Sequence, residues 1–166
     1  MFICKMIEIL YWVGGVLILL LVCLFVLPVL FLPNQLVFRT KIQRTEKIKR
    51  IAMKLRGKTK EETLKNVYNY VLRNYEGVDE KYKLAWLPGL FLYDVDKIVD
   101  KRRFLACHIQ NLVLRTLLLN TGQFSEDEIA RKQTISWFLT THQYLIVDFG
   151  KVRYKIDPFF KVIRKI

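Results

Sequence analysis

Cysteine is scarce in this chain, with three residues among 166. Cys4 and Cys23 lie in or beside an apolar N-terminal stretch, which leaves Cys107 alone in the rest of the sequence. A lone thiol excludes an internal disulfide there, and no cysteine–histidine cluster has the spacing of a zinc site. We therefore expect no metal ion and no cofactor. Cys107 is either a small buried hydrophobic residue or a reactive group.

Charge is absent from Ile9 to Phe38, a stretch in which leucine, valine, isoleucine and phenylalanine dominate. About 20 apolar residues in a helix span the ~30 Å hydrocarbon core of a bilayer. The pattern therefore predicts that residues 1–38 form an N-terminal transmembrane anchor. A cleaved signal peptide is the competing interpretation, and it is disfavoured because the apolar region is long and offers no small-residue cleavage site.

Acidic residues are few, 15 against 28 lysines and arginines, and the formal net charge is +13. Much of the excess lies in residues 39–59, which we interpret as a basic juxtamembrane linker. The positive-inside tendency then places the C-terminal domain in the cytoplasm, and anionic lipid headgroups would attract the linker. These features predict a single-pass protein of the cell membrane with membrane lipid as a partner. No groove-reading or base-stacking motif accompanies the charge, so we expect no specific nucleic acid; association through the linker is the weaker alternative.

Internal repeats and low-complexity tracts are also absent, and residues 60–166 have the pattern of one domain. Thr59 and Glu62 have capping-box spacing, and the apolar periodicity that follows predicts a helix over about 60–75. A second, buried helix is expected from Cys107 to a stop at 120–122, and a short third helix over 125–128. Strands are expected at about 134–140, 143–149 and 151–156. Helices followed by antiparallel strands predict an α+β fold with a single core.

The last two strands have the pattern of a β-hairpin around Phe149-Gly150, where glycine can adopt the positive φ that a tight turn requires. If Asp148 pairs with Lys151, then His142 lies opposite Asp157. Directly opposed side chains have Cβ atoms roughly 4.5–5.5 Å apart, close enough for a carboxylate to hold an imidazole. The pattern thus predicts a base and its orienting acid side by side.

Cys107 lies where the second helix begins, and this position favours thiol chemistry. The helix N-terminus stabilises negative charge, which lowers the pKa of a thiol and enriches the nucleophilic thiolate. His142 would take the thiol proton and return it to a leaving amine, while Asp157 orients the imidazole. Backbone N–H groups at the helix start, including that of Cys107, would stabilise an oxyanion. The sequence thus predicts a catalytic Cys107–His142–Asp157 triad.

Three plainer interpretations remain open. Cys107 can be an inert core thiol, because free cysteine is often buried. His142 and Asp157 can form a structural hydrogen bond without catalysis. His108 can be the partner of the thiol, although neighbouring helix positions do not face each other.

The same residues resemble the motif blocks of transglutaminase-like domains, which belong to the papain-like cysteine-enzyme superfamily. The blocks are Cys107 at the start of a hydrophobic helix that ends near Gly122, then the run 141–147 around His142, and then 154–158 with Asp157 before proline. The resemblance covers about residues 60–160. It implies a papain-like core, in which a buried helix carrying the cysteine packs on an antiparallel sheet. It also implies Cys107 as nucleophile, His142 as base and Asp157 as orienting acid.

Two family features are changed or unassigned in this chain. Leu105 replaces a common glycine two residues before the nucleophile, whereas Tyr144 supplies the aromatic residue two after the histidine. The family's additional oxyanion-hole residue is not assigned; Trp86 and Tyr93 are candidates. Both lie in an aromatic-rich loop at 84–93, which either packs over the core or forms one wall of a substrate groove.

These features together predict a membrane-anchored, transglutaminase-like thiol enzyme that acts on a protein or peptide substrate. It would form a thioester at a peptide or carboxamide carbonyl and pass the acyl group to water or to an amine. Hydrolysis, as in a protease or amidase, is favoured over transfer because nothing in the sequence indicates a dedicated amine site. The alternative is a catalytically inactive interaction module tethered to the membrane. The sequence leaves the oligomeric state open.

Overall fold

A computed structural model describes residues 2–23, 40–77, 93–99, 103–136 and 140–166. The described helices are α1 (Phe2–Leu21), α2 (Glu46–Leu55), α3 (Lys60–Asn74), α4 (Val95–Ile98) and α5 (Cys107–Asn120). The strands are β1 (Tyr75–Glu76), β2 (Arg103–Phe104), β3 (Ile129–Ser136), β4 (Thr140–Phe149), β5 (Val152–Asp157) and β6 (Val162–Lys165). Strands β3 to β6 form an antiparallel sheet in sequence order. The predicted α+β class is confirmed, and the papain-like assignment stays a prediction.

The predicted transmembrane helix is wrong. No helix among the described residues combines the length and the apolar character needed to cross a membrane. Helix α1 begins at Phe2 and ends at Leu21, so it includes the charged residues Lys5 and Glu8. Its uncharged part is about 20 Å long at 1.5 Å per residue, which is shorter than the ~30 Å hydrocarbon core. The later part of the expected span, residues 24–38, lies outside the described residues.

Helix α5 is the centre of the core, as its apolar sequence predicts. Every side chain from His108 to Leu119 is buried, and α2, α3 and β4 pack around the helix. The expected stop is also confirmed, because the helix ends at Asn120 and Gly122 adopts φ 71°. Gly122 thereby supplies the left-handed residue that commonly follows a helix C-terminus.

Helix α2 lies within the segment interpreted as a basic linker. Thr45 caps it by accepting a hydrogen bond from the backbone N–H of Ile48. Its basic residues alternate with apolar ones at helical spacing, and the side chains of Ile48 and Ala52 are fully buried in the core. This segment is therefore packed against the domain that carries Cys107.

Helix α3 confirms the predicted helix and its capping box. Thr59 accepts from the N–H of Glu62, and the Glu62 carboxylate accepts from the N–H of Lys58 at 2.7 Å. The expected apolar face is buried at Leu64 and Val67. The chain then continues directly into β1, which pairs in parallel with β2 just before Cys107.

The predicted hairpin forms, but its register is wrong by two residues. Val152 pairs with Phe149 and Ile156 pairs with Leu145, so the two-residue turn is Gly150-Lys151. Gly150 has φ 65°, the conformation for which a glycine was expected. Because side chains alternate with a period of two, a shift of two residues leaves each side chain on its predicted face. The apolar pattern therefore does not distinguish the two registers.

Two further predictions in this region fail. Residues 125–128 form no helix, although the N–H of Ser125 donates to the Glu128 carboxylate as a capping motif would. The chain turns instead into β3, which begins at Ile129 rather than near 134. Strand β6 lies beyond the last predicted strand, which was expected to end near residue 156. A turn with Lys161 at φ 55° reverses the chain and returns it to pair with β5.

Candidate active site

Cys107 is the first residue of α5 and is half-buried. Two hydrogen bonds fix Leu105, which lies two residues before it. The N–H of Leu105 donates to the Glu76 carbonyl at 3.0 Å, and the side chain of Gln110 donates to the Leu105 carbonyl at 3.1 Å. Leu105 is fully buried, so its side chain fills the core directly before the helix that carries the thiol. Ala106 provides no side-chain cap, and the N-terminal end of α5 keeps its positive character beside the thiol.

His142 and Asp157 are in contact, as the sequence predicts, but the strand register that brings them together differs from the predicted one. The Nε2–H of His142 donates to Oδ2 of Asp157 at 2.6 Å. The actual register places the two residues diagonally across β4 and β5, and diagonal neighbours are within reach of long side chains. The second carboxylate oxygen accepts from the N–H of Phe160 at 3.3 Å. Asp157 is therefore held by the turn that follows it as well as by the imidazole.

The imidazoles of His142 and His108 both lie beside the thiol of Cys107, close enough that each lowers its pKa. Since Nε2 of His142 is engaged by Asp157, its Nδ1 is the nitrogen left for the thiol. The structure thus aligns Cys107, His142 and Asp157 in the predicted order. It also brings in His108, which the sequence offered as an alternative to His142 rather than as a second neighbour of the thiol.

The electrostatics of the site favour a thiolate–imidazolium pair. Burial raises the pKa of Cys107, but hydrogen bonds and the charges of His108 and His142 outweigh it and lower this pKa to about 6. Burial lowers the pKa of His142, but hydrogen bonds to Asp157 and Cys107 and the charges of both raise it to about 9. Between these values the sulfur is anionic and the imidazole of His142 is cationic, which is the reactive form of a thiol nucleophile.

Two phenylalanines that the sequence argument missed enclose the imidazole of His142. The ring of Phe160 lies 4.6 Å from it and the ring of Phe159 5.7 Å, measured between centroids. Gly77 makes room for this arrangement, because a Cβ atom there would lie 3.3 Å from the Phe159 ring. The feature of the sequence that could have indicated this contact is the pair of aromatic residues directly after Asp157-Pro158.

A buried hydrogen bond between α5 and β4 was also missed. Asn111 lies one helical turn after Cys107, and its Nδ2 donates to the carbonyl of Gln143 at 2.6 Å. Gln143 is the neighbour of His142 along β4. This contact therefore joins the helix of the nucleophile to the strand of the base. The feature of the sequence that could have indicated this bond is Asn111 itself, an amide residue beside the apolar residues of α5.

Of the two candidates for an additional oxyanion-hole residue, Trp86 lies outside the described residues together with the rest of 84–92. Tyr93 is half-buried, and its ring lies 6.3 Å from that of His108. Burial raises the pKa of Tyr93 to about 12, so the hydroxyl keeps its proton at neutral pH. A hydroxyl in that state can donate a hydrogen bond.

The part of the chain that the structure describes contains no group of three or more His, Cys, Asp or Glu side chains that could hold a metal ion. What the site does contain is an activated thiol, an imidazole, an orienting carboxylate and helix N–H groups. This set suffices for attack on a carbonyl carbon. Comparison with protein-family models, with curated proteins and with solved structures gave no match.

Proposed function

We propose that this protein is a thiol enzyme that cleaves or transfers acyl groups at peptide or carboxamide carbonyls, with Cys107 as nucleophile, His142 as base and acid, and Asp157 as the orienting carboxylate. The observation that carries the proposal is the 2.6 Å hydrogen bond between His142 and Asp157, together with the position of the His142 imidazole beside Cys107, whose pKa it lowers. The depressed pKa of the thiol, about 6, supports the nucleophilic role.

The chemistry follows from this arrangement. The Cys107 thiolate attacks the carbonyl carbon, a C–S bond forms, and the carbonyl oxygen becomes an oxyanion beside the N–H groups at the start of α5. The proton on Nδ1 of His142 passes to the leaving amine as the C–N bond breaks, which leaves a thioester. His142 then takes a proton from water or from an acceptor amine, whose attack breaks the C–S bond and restores the thiolate. Asp157 holds the ring in place throughout and stabilises its charged form.

Water is the acceptor that we favour, so the proposed reaction is hydrolysis of a peptide or amide. Transfer to an amine would need a second site that binds the amine. The resemblance of the motif blocks to transglutaminase-like domains supports the acyl chemistry in either case.

A thiol-directed probe tests the proposal on the full chain. We expect a chloroacetamide or peptide-vinyl probe at pH 7 to label Cys107, and the labelling rate to fall at least about tenfold in His142→Ala because the thiolate fraction falls. Peptide mapping by mass spectrometry gives the rate at each cysteine. Exposed Cys23 is the reference within the same molecule, since it lacks the imidazoles and should react equally in both proteins.

A folded protein in which Cys107 reacts no faster than Cys23, and no differently after His142→Ala, would reject the enzyme. That outcome would favour an inactive interaction module.

A further inference from the structure

A cavity lies beside the C-terminal half of α5, away from the thiol. Its volume is about 380 Å³, and segment 40–44, α5, the loop before β3 and β3 itself contribute to its walls. The side chains that line it are mainly cationic: Lys41, Arg44, Arg115 and Arg131 with a single carboxylate, Glu126. Four cationic side chains against one carboxylate give this lining a net positive charge, which favours an anion.

Arg115 is the buried member of this cluster. Only 8 % of its surface is exposed, and its Nη2 donates to the carboxylate of Glu126 at 2.9 Å. Its Nε is buried and has no hydrogen-bond partner among the residues that the structure describes. A buried guanidinium N–H without an acceptor is unfavourable, so an acceptor from a ligand would complete the geometry.

Arg131 lies on β3 and faces the same cavity. Its own burial and then the positive charge of Arg115 lower the pKa of its guanidinium, while the charge of Glu126 raises it. The positive charge of Arg115 therefore disfavours the charged form of Arg131, and the carboxylate of Glu126 offsets this repulsion only in part. A doubly charged anion would relieve that repulsion, whereas a single carboxylate would do so only in part.

We propose that this cavity binds a phosphate group, with Arg115 and Arg131 as its principal donors and Lys41 and Arg44 at its rim. Planar guanidinium groups match the oxygens of phosphate in a two-point geometry, which lysine alone does not provide. The volume is large enough for a small phosphorylated molecule rather than for the ion alone. The phosphate can belong to a soluble compound or to a phospholipid headgroup.

This site is independent of the proposed thiol chemistry. Arg115 follows Cys107 by two turns of α5, a separation of roughly 12 Å along the helix axis. Binding at the cavity can therefore be measured without a substrate, and its failure would leave the catalytic proposal untouched.

Titration of the full chain with pyrophosphate, followed by calorimetry, tests the site. We expect saturable one-site binding that weakens at least tenfold in Arg131→Gln and clearly in Arg44→Gln. Arg115 is avoided as a test position because its buried side chain also packs the core. The matched control is Lys151→Gln, which removes the same charge from the exposed β4–β5 turn, outside the cavity. Circular dichroism verifies that each variant is folded.

Sedimentation with vesicles separates the two sources of phosphate. Vesicles of phosphatidylcholine with phosphatidic acid are compared with vesicles of phosphatidylcholine alone. Arg131-dependent binding to the former without pyrophosphate binding identifies a headgroup site, and pyrophosphate binding identifies a site for soluble phosphates. Absence of binding to either probe, or equal weakening in all three variants, would overturn the proposal, because the latter indicates only diffuse charge attraction.

Discussion

At the scale of single residues, the site depends on how three ordinary side chains alter one another. Cysteine usually keeps its proton at neutral pH, and histidine usually loses one. Here His108 and His142 lower the pKa of Cys107, and Asp157 and Cys107 raise the pKa of His142, even though burial opposes each charge taken alone. The ion pair is favoured because both charges are buried together rather than separately.

The pH dependence of thiol reactivity follows from these shifts. The pKa of Cys107 is lowered, so the reactive thiolate is present above about pH 6 and is lost as the pH falls through that value. The pKa of His142 is raised, so the proton needed by the leaving amine is lost as the pH rises through about 9. Alkylation of Cys107 by iodoacetamide should therefore rise with a midpoint near 6, and hydrolysis should be greatest between the two values. Stopped-flow alkylation over pH 4–10 measures the first of these; a single midpoint near 8.5, the ordinary value of a thiol, would contradict it.

At the scale of elements, local patterns predicted the bounds of α3 and α5 better than they predicted strand pairing. The stop of α5 and the capping box of α3 are encoded by residues a few positions apart, and both are confirmed. The hairpin register depends on competition between two pairings that bury the same face, and the pattern alone does not decide it. The bond between Ser125 and Glu128 shows the limit of local signals, since the capping contact forms without a helix.

The contact between α5 and β4 leads to a prediction at this scale. Asn111→Leu removes the donor to the Gln143 carbonyl and leaves that carbonyl buried without this partner. We expect the free energy of unfolding to fall by about 1–3 kcal/mol and alkylation of Cys107 to slow, because the strand that carries His142 loses its link to α5. Urea unfolding and the alkylation rate are the two measurements.

Asn74→Leu is the matched control for that substitution. The side chain of Asn74 donates to the Tyr70 carbonyl within its own helix, and among the described residues this hydrogen bond joins no second element. It should have the smaller effect on stability and none on the thiol. Equal effects of the two variants on alkylation would show that the α5–β4 bond does not position the base.

At the scale of the whole molecule, α5 organises the fold by lying between the helices on one side and the sheet on the other. Its side chains from Ile109 to Leu118 are buried on all sides, so the thiol at its start is carried by a helix that is packed within the core. Helix α2 belongs to the same core, although its charges suggested a linker. The charged residues of this helix lie on its exposed face. The opposite face packs against the domain through the buried side chains of Ile48 and Ala52.

Substitution within α2 tests its place in the core. Ile48→Ala removes a fully buried side chain and should lower the free energy of unfolding by about 2–5 kcal/mol. Met53→Ala is the control on the same helix, since Met53 is 52 % exposed and its loss should cost little. Thermal and urea unfolding of the full chain provide the comparison. Similar small effects for both variants would mean that α2 contributes no packing to the domain.

The sequence by itself determined the α+β class, the helix that begins at Cys107, and the placement of His142 and Asp157 on one face of a hairpin, because these follow from periodicities and stop signals within short segments. It led to a wrong transmembrane helix, since an uncharged run in a sequence says nothing of where the helix begins and ends. Only the tertiary structure decided the hairpin register, the packing of α2, the phenylalanines over His142 and the second imidazole at the thiol. Each of these depends on which remote surfaces meet, and several arrangements satisfy the same local pattern.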